Sequence, residues 1–228
     1  MEARARRGRT GRVLVVLALL AAATSGCASR GGALASLDEL GADRAMPLFW
    51  RVESTRGATL YLLGSVHLGP PGGWSYPPAI EQAFEDASAL VVEVDPDELD
   101  DRTRQLLLAR YGMLSPGQRL QDRVSPETWK ALQSQVARSD LPAAMVDRMQ
   151  PWLISNLLVL EATERLGWSP GGGVDVGFMR RTGERSIVAL ESAELQMSLF
   201  AALPPDVQEL VLRDTLGRFD DVGDYVSR

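Results

Sequence analysis

The chain has 228 residues, 45% of them hydrophobic and 24% charged, with a formal net charge of −6. That length admits a full core in one domain, and the balance is that of a globular protein rather than a disordered or coiled-coil one. Beyond the first 27 residues the chain is acidic and has no basic stripe to displace counterions, which argues against nucleic acid as the partner.

The first 27 residues stand apart from the rest. "MEARARRGRTGR" carries five arginines, and Val13 to Ala23 form eleven consecutive apolar residues. A bilayer-spanning helix needs about 20, so the stretch predicts the apolar region of a secretory signal. Small residues then lead to Cys27 in "TSGC". This resembles a bacterial lipoprotein signal, cut before a cysteine that takes lipid, with Thr24 where that pattern usually has leucine. Cys27 is the single cysteine, so no intramolecular disulfide can form. Lipidation at Cys27 is favoured over an idle thiol, because exposed free thiols are disfavoured in exported proteins. The domain plan is a lipoprotein-type signal peptide over 1–27, a tether over 28–46 and a folded domain over 47–228. The protein would be exported to a bacterial cell envelope and lipid-anchored facing the periplasm, or secreted if not lipidated. The membrane is then one partner, reached through the N-terminal lipid.

From Leu48 onward the pattern is that of a folded body. "LFWRVES" and "ATLYLLGS" are aromatic and β-branched runs around a turn-like "TRGA", which predicts a β-hairpin. Pro77 and Pro78 mark a helix start, and Ile80, Ala83, Phe84 and Ala87 give it an apolar face. "ALVVEVD" reads as a strand buried on both faces, completing a strand–helix–strand unit. Ser125 and Pro126 cap a helix through "ETWKALQSQVARS". Pro151 opens "PWLISNLLVLEATERLG", apolar nearly all round until Glu161 and hence a buried helix. A glycine loop at Gly171–Gly173, a short helix, the strand "RSIVALES" and two helices meeting at Pro204–Pro205 follow. Trp129, Trp152 and Trp168 are read as packing residues. The fold class expected is α/β: a central, mainly parallel or mixed sheet with an N-terminal hairpin, helices on both faces and a helical middle insertion.

Ligands of open parallel sheets bind where the strands end, because the crossover loops gather there. Three predicted strands end in Gly64-Ser65-Val66-His67, Glu93-Val94-Asp95 and Leu190-Glu191-Ser192. His67 is the only histidine in the chain. Gly64 would let the chain turn tightly off its strand. An imidazole with carboxylates is a ligand set for manganese, cobalt, iron or zinc, and a carboxylate beside the metal could activate water. Each residue also has a plainer role: a structural histidine, a solvent-facing Glu93, a turn-forming Asp95 before Pro96, and Glu191 as charge near a helix start.

These segments, with "MQPWLISNLL" and "GGGVDVGFMRRTGERSIVALESAELQ", resemble the TraB/GumN family, which includes the Tiki metalloproteases. The resemblance implies an α/β fold related to haem-binding ChaN and erythromycin esterase, and a metal-dependent, peptidase-like hydrolase. It implies a divalent metal such as manganese, cobalt or zinc on His67, Glu93 and Glu191, with Glu93 and Glu191 catalytic. Gly64, Ser65 and Asp95 would support the site, and a peptide or small molecule would be the ligand. Family members carry a second G-x-x-H near the C-terminus, and this chain has no second histidine. The 47–228 domain is therefore expected to be C-terminally incomplete, through truncation, degeneration or a site completed by a partner. The alternative is a non-catalytic envelope lipoprotein that sequesters a peptide, haem or another small ligand.

Overall fold

The computed structural model describes residues 12–18, 48–95 and 99–221. Five strands form one sheet: β1 (Arg12–Ala18), β2 (Phe49–Glu53), β3 (Thr59–Ser65), β4 (Ala89–Val92) and β5 (Ser186–Ala189), in the order β2-β3-β1-β4-β5. β2 and β3 are the predicted antiparallel hairpin, with Phe49 opposite Leu63 and Glu53 opposite Thr59. Its turn relies on Gly57, whose φ of 80° suits glycine. β3, β1, β4 and β5 run parallel to one another. The strand–helix–strand unit is present, but β1 lies between its two strands.

That central strand is the main departure from the sequence reading. Residues 12–18, expected inside a leader, supply the strand that, among the described residues, joins the hairpin to the β4–β5 pair. Cys27, the tether over 28–46 and the tail over 222–228 lie outside the described residues.

Among the described residues eight α-helices accompany the sheet: α1 (Pro78–Asp86), α2 (Asp101–Leu107), α3 (Pro126–Val136), α4 (Ala143–Val146), α5 (Pro151–Glu164), α6 (Val174–Arg181), α7 (Ala193–Ala201) and α8 (Pro205–Arg218). α2 escaped the sequence reading, although Asp100 is a recognisable cap that accepts a hydrogen bond from the Thr103 N–H. Among the described residues no helix is long and apolar enough to cross a membrane.

Two cores result. Period-two alternation buries Tyr61, Leu63, Leu90 and Val92 on one sheet face, against Ile80, Ala83 and Phe84 of α1 and Val174 and Phe178 of α6. Phe178 is fully buried between Tyr76 and Phe84, with ring centroids 4.7 and 4.9 Å away. The helical cover is one-sided among the described residues: Trp50, Val52 and Val188 remain exposed. The second core is helical. Leu132 of α3, Ile154 and Leu158 of α5 and Leu212 of α8 are completely buried in it. Glu209 on α8 ties the layers together by accepting from the Ser125 N–H and the Thr128 hydroxyl, both at 2.8 Å. Trp129 and Trp152 pack here as expected.

Candidate functional site

β3 ends at Ser65, and the chain then crosses the loop that precedes α6. The Gly69 N–H donates to Ser169 O at 3.1 Å, the Ser169 N–H returns to Gly69 O at 2.9 Å, and the Val174 N–H donates to Val66 O at 2.9 Å. The crossing leaves no room for side chains. A Cβ on Gly69 would lie 2.0 Å from Gly172 O, and one on Gly173 would lie 2.6 Å from His67 O. Backbone contact therefore sets the position of α6 relative to His67, and the first turn of α6 carries Asp175.

The result is an imidazole held between two carboxylates. His67 Nδ1 lies 3.2 Å from Asp175 Oδ2, and Nε2 lies 3.7 Å from Glu93 Oε2. The His67 side chain is 51% exposed, whereas those of Glu93 and Asp175 are 19% and 16% exposed. Gln196 on α7 donates through Nε2 to Glu93 Oε2 at 3.3 Å, the same oxygen that faces His67. A pocket of about 260 Å³ opens over these four residues, with Val94, Leu99 and Val176 as its apolar wall.

The electrostatics follow from that arrangement. The hydrogen bond to Asp175, aided by the charges of Asp175 and Glu93, raises the His67 pKa above its ordinary 6.5 against the opposing effect of burial. For Asp175, burial alone would push the pKa up. The hydrogen bond with His67 and the imidazolium charge outweigh it and pull the value below the ordinary carboxylate range. Asp175 Oδ1 is buried with no hydrogen-bond partner among the described residues. Such an orphaned acceptor is costly unless a ligand or water meets it.

The other residues singled out from sequence fall elsewhere. Glu191 is exposed; its N–H donates to Glu93 O at 2.8 Å, keeping two strand ends in line, but its side chain does not line the pocket. Asp95 lies two residues beyond Glu93 and does not line the pocket either. Ser65 is buried, with its hydroxyl unpartnered among the described residues. Gly64 makes no tight turn. It lies within β3, where its N–H donates to Leu48 O at 2.7 Å and a Cβ would approach the Leu48 Cβ to 3.2 Å. Close packing, rather than special backbone angles, accounts for that glycine. Asp175 and Gln196 were missed from sequence; the glycine run just before Asp175 was the available signal.

The fit to a metal is partial. Among the described residues no group of three or more His, Cys, Asp or Glu side chains converges to hold an ion. His67 Nε2 and Glu93 offer two donors, and Asp175 backs the ring through Nδ1 as carboxylates do for metal-bound histidines. Those two donors suit one side of a coordination shell, with the remaining positions left to other groups.

The TraB/PrgY/gumN family profile matches residues 48–228, and the chain belongs to that family. It is 25% identical over 158 residues to the uncharacterized protein YbaP of Escherichia coli (strain K12), an alignment covering 68% of this chain and 56% of that protein. It is 24% identical over 225 residues to an uncharacterized protein of Treponema pallidum (strain Nichols), covering 95% of this chain and 63% of the relative. The chain thus spans less than two thirds of these relatives' length. No solved structure matches it at a significant level.

Proposed function

We propose that this member of the TraB/PrgY/gumN family is a hydrolase of peptide-like substrates that works with a divalent cation. The observation supporting this reading is the single imidazole bracketed by Asp175 and Glu93 beneath an open pocket. Manganese, cobalt or zinc held by His67 Nε2 and Glu93 would supply Lewis-acid polarisation of the scissile carbonyl and a more acidic water. The chain's own groups do the rest. Asp175 keeps the proton on Nδ1 and so aims Nε2 at Glu93. Gln196 holds the Glu93 carboxylate in place, and its free oxygen accepts the proton of the attacking water. Val94, Leu99 and Val176 give the open pocket an apolar wall against which a substrate side chain can lie. Export and lipid anchoring through Cys27 are a separate proposal supported by the leader pattern alone; cleavage before Cys27 would remove β1, so residues 12–18 serve either as leader or as strand.

Digestion of a peptide library by the full chain, with manganese, cobalt or zinc added, tests the reading. Cleavage is expected with at least one metal, falling roughly 100-fold or more in Glu93→Gln, and His67→Ala is expected to bind less metal. Undiminished cleavage in Glu93→Gln, or equal metal content in His67→Ala, overturns it. The meeting of only two donors favours a second reading, a module that sequesters a peptide, haem or another small ligand without turnover. Binding without cleavage under every metal would select that one.

A further inference from the structure

A second, larger cleft of about 510 Å³ lies on the other side of α6 from the His67 pocket. Asp175 and Val176 line the pocket, whereas Gly177, Arg180 and Arg181 line the cleft, and Gly173, against the His67 carbonyl, stands where the two approach each other. Trp74 and Tyr76 form one wall. Trp74 is braced edge-on by Trp168 at 5.3 Å and 89°, and Tyr76 lies on Phe178. Both rings are therefore rigid before any ligand arrives. Trp168, expected only to pack, is in effect a buttress for this wall.

The two arginines of the cleft differ in what they hold. Arg181 pairs with both oxygens of Glu81 and lies over the Phe84 and Phe178 rings, so it is committed to the fold. Arg180 is exposed and pairs with no carboxylate among the described residues; its Nη1 donates only to Gly171 O, at 2.8 Å. That bond points the fork into the cleft and leaves its remaining donors open. Gly171 permits the approach, because a Cβ there would lie 3.3 Å from Arg180 Nη2.

Gly177 supplies an independent observation. The glycines at 69, 172 and 173 are accounted for by backbone crowding, but a Cβ on Gly177 would meet nothing within 4 Å. It sits inside α6, where glycine costs about 1 kcal/mol relative to alanine. It lines the cleft without adding a side chain to it, so this stretch of the α6 surface stays open.

Building on the hydrolase reading, we infer that this cleft receives the C-terminal end of a peptide, with the free carboxylate on Arg180 and an aromatic or large apolar side chain against Trp74 and Tyr76 over Gly177. A guanidinium matches a carboxylate through two parallel hydrogen bonds, which an amide cannot reproduce.

Calorimetric titration of the full chain carrying Glu93→Gln, which prevents turnover, tests the assignment. The probes are N-acetyl-alanyl-phenylalanine with a free carboxylate and the same compound as its C-terminal amide. The acid is expected to bind about tenfold more tightly than the amide. Adding Arg180→Gln should erase the difference, and Gly177→Leu should weaken both probes. Equal binding of acid and amide, no binding of either, or a preference that survives Arg180→Gln overturns the inference. So does displacement of the acid by inorganic phosphate at equal concentration, which would mark a site for any anion. Binding is read without catalysis, so a preference for the acid here, alongside no cleavage of the peptide library by the unsubstituted chain under any metal, would sink the hydrolase reading and leave the cleft standing.

Discussion

The two cores of this protein are built differently. The helical one closes on itself: α3, α5 and α8 bury Leu132, Ile154, Leu158 and Leu212 completely, and Glu209 clips α8 to the start of α3. Among the described residues the sheet core is covered on one side, and its hairpin meets its parallel pair through β1. His67, Glu93 and Asp175 all belong to this second half. The site therefore rests on the weaker scaffold, and perturbing either half should have distinct consequences.

Deleting residues 1–27 should have the largest effect. It removes the strand between β3 and β4, a change on the scale of a small domain's whole margin of about 5–15 kcal/mol. Hydrogen exchange is expected to show lost protection across β3 and β4, with α5 and α8 still protected. Unchanged protection over β3 and β4 would mean that something other than β1 joins the halves, and the contrast would fail.

Paired core truncations come next. Phe178→Ala should cost about 3–5 kcal/mol and Leu158→Ala about 2–5 kcal/mol, read as urea midpoints. What separates them is the site. Phe178 anchors the helix that carries Asp175, so its loss should move the His67 titration, while Leu158→Ala leaves it unchanged. Equal effects on His67 would dissolve the distinction between the cores.

The smallest effect is electrostatic. As the only histidine, His67 gives one unambiguous imidazole signal in NMR. Asp175→Asn should lower its raised pKa toward 6.5, and Glu93→Gln should lower it less, because Asp175 is the larger cause. A His67 pKa indifferent to Asp175→Asn would refute the pairing. Stability follows with opposite signs for the two partners. The His67 contribution is complete below its unfolded value of about 6.5 and fades as pH rises through the raised native value. The Asp175 contribution is present above its unfolded value and fades as pH falls through the lowered native one. With His67 half exposed, screening keeps the total near the scale of surface pairs, about 0–1 kcal/mol.

Much of this fold could be read from local signals. Aromatic, β-branched and apolar runs marked β2, β3, β4 and β5, prolines marked the starts of α1, α3, α5 and α8, and the all-round apolarity of α5 foretold its burial. The site was half legible. The rule that strand ends converge placed His67 beside Glu93, but it also enlisted Glu191, whose backbone joins the edge while its side chain leaves it. Asp175 was hidden because its position depends on a crossing of two distant glycine loops, which no local pattern records. β1 was hidden for a related reason. An apolar run behind a cluster of arginines carries a leader pattern and can equally pair as a strand, and such long-range pairing is not written in any local signal.

The glycine crossing also sets a clock. His67 and Asp175 are 108 residues apart in the chain, and Glu93 and Gln196 are 103 apart. Closing a loop of that length costs roughly 4 kcal/mol of chain entropy before any contact repays it. At a synthesis rate of about 5–20 residues per second, His67 also waits on the order of 5–20 s before Asp175 exists. Until Gly69 seats against Gly172 the imidazole lacks its Asp175 partner, and until α7 docks Glu93 lacks Gln196. The chain thus passes its whole youth without an assembled site, and whatever chemistry the site performs begins only when the fold is nearly finished.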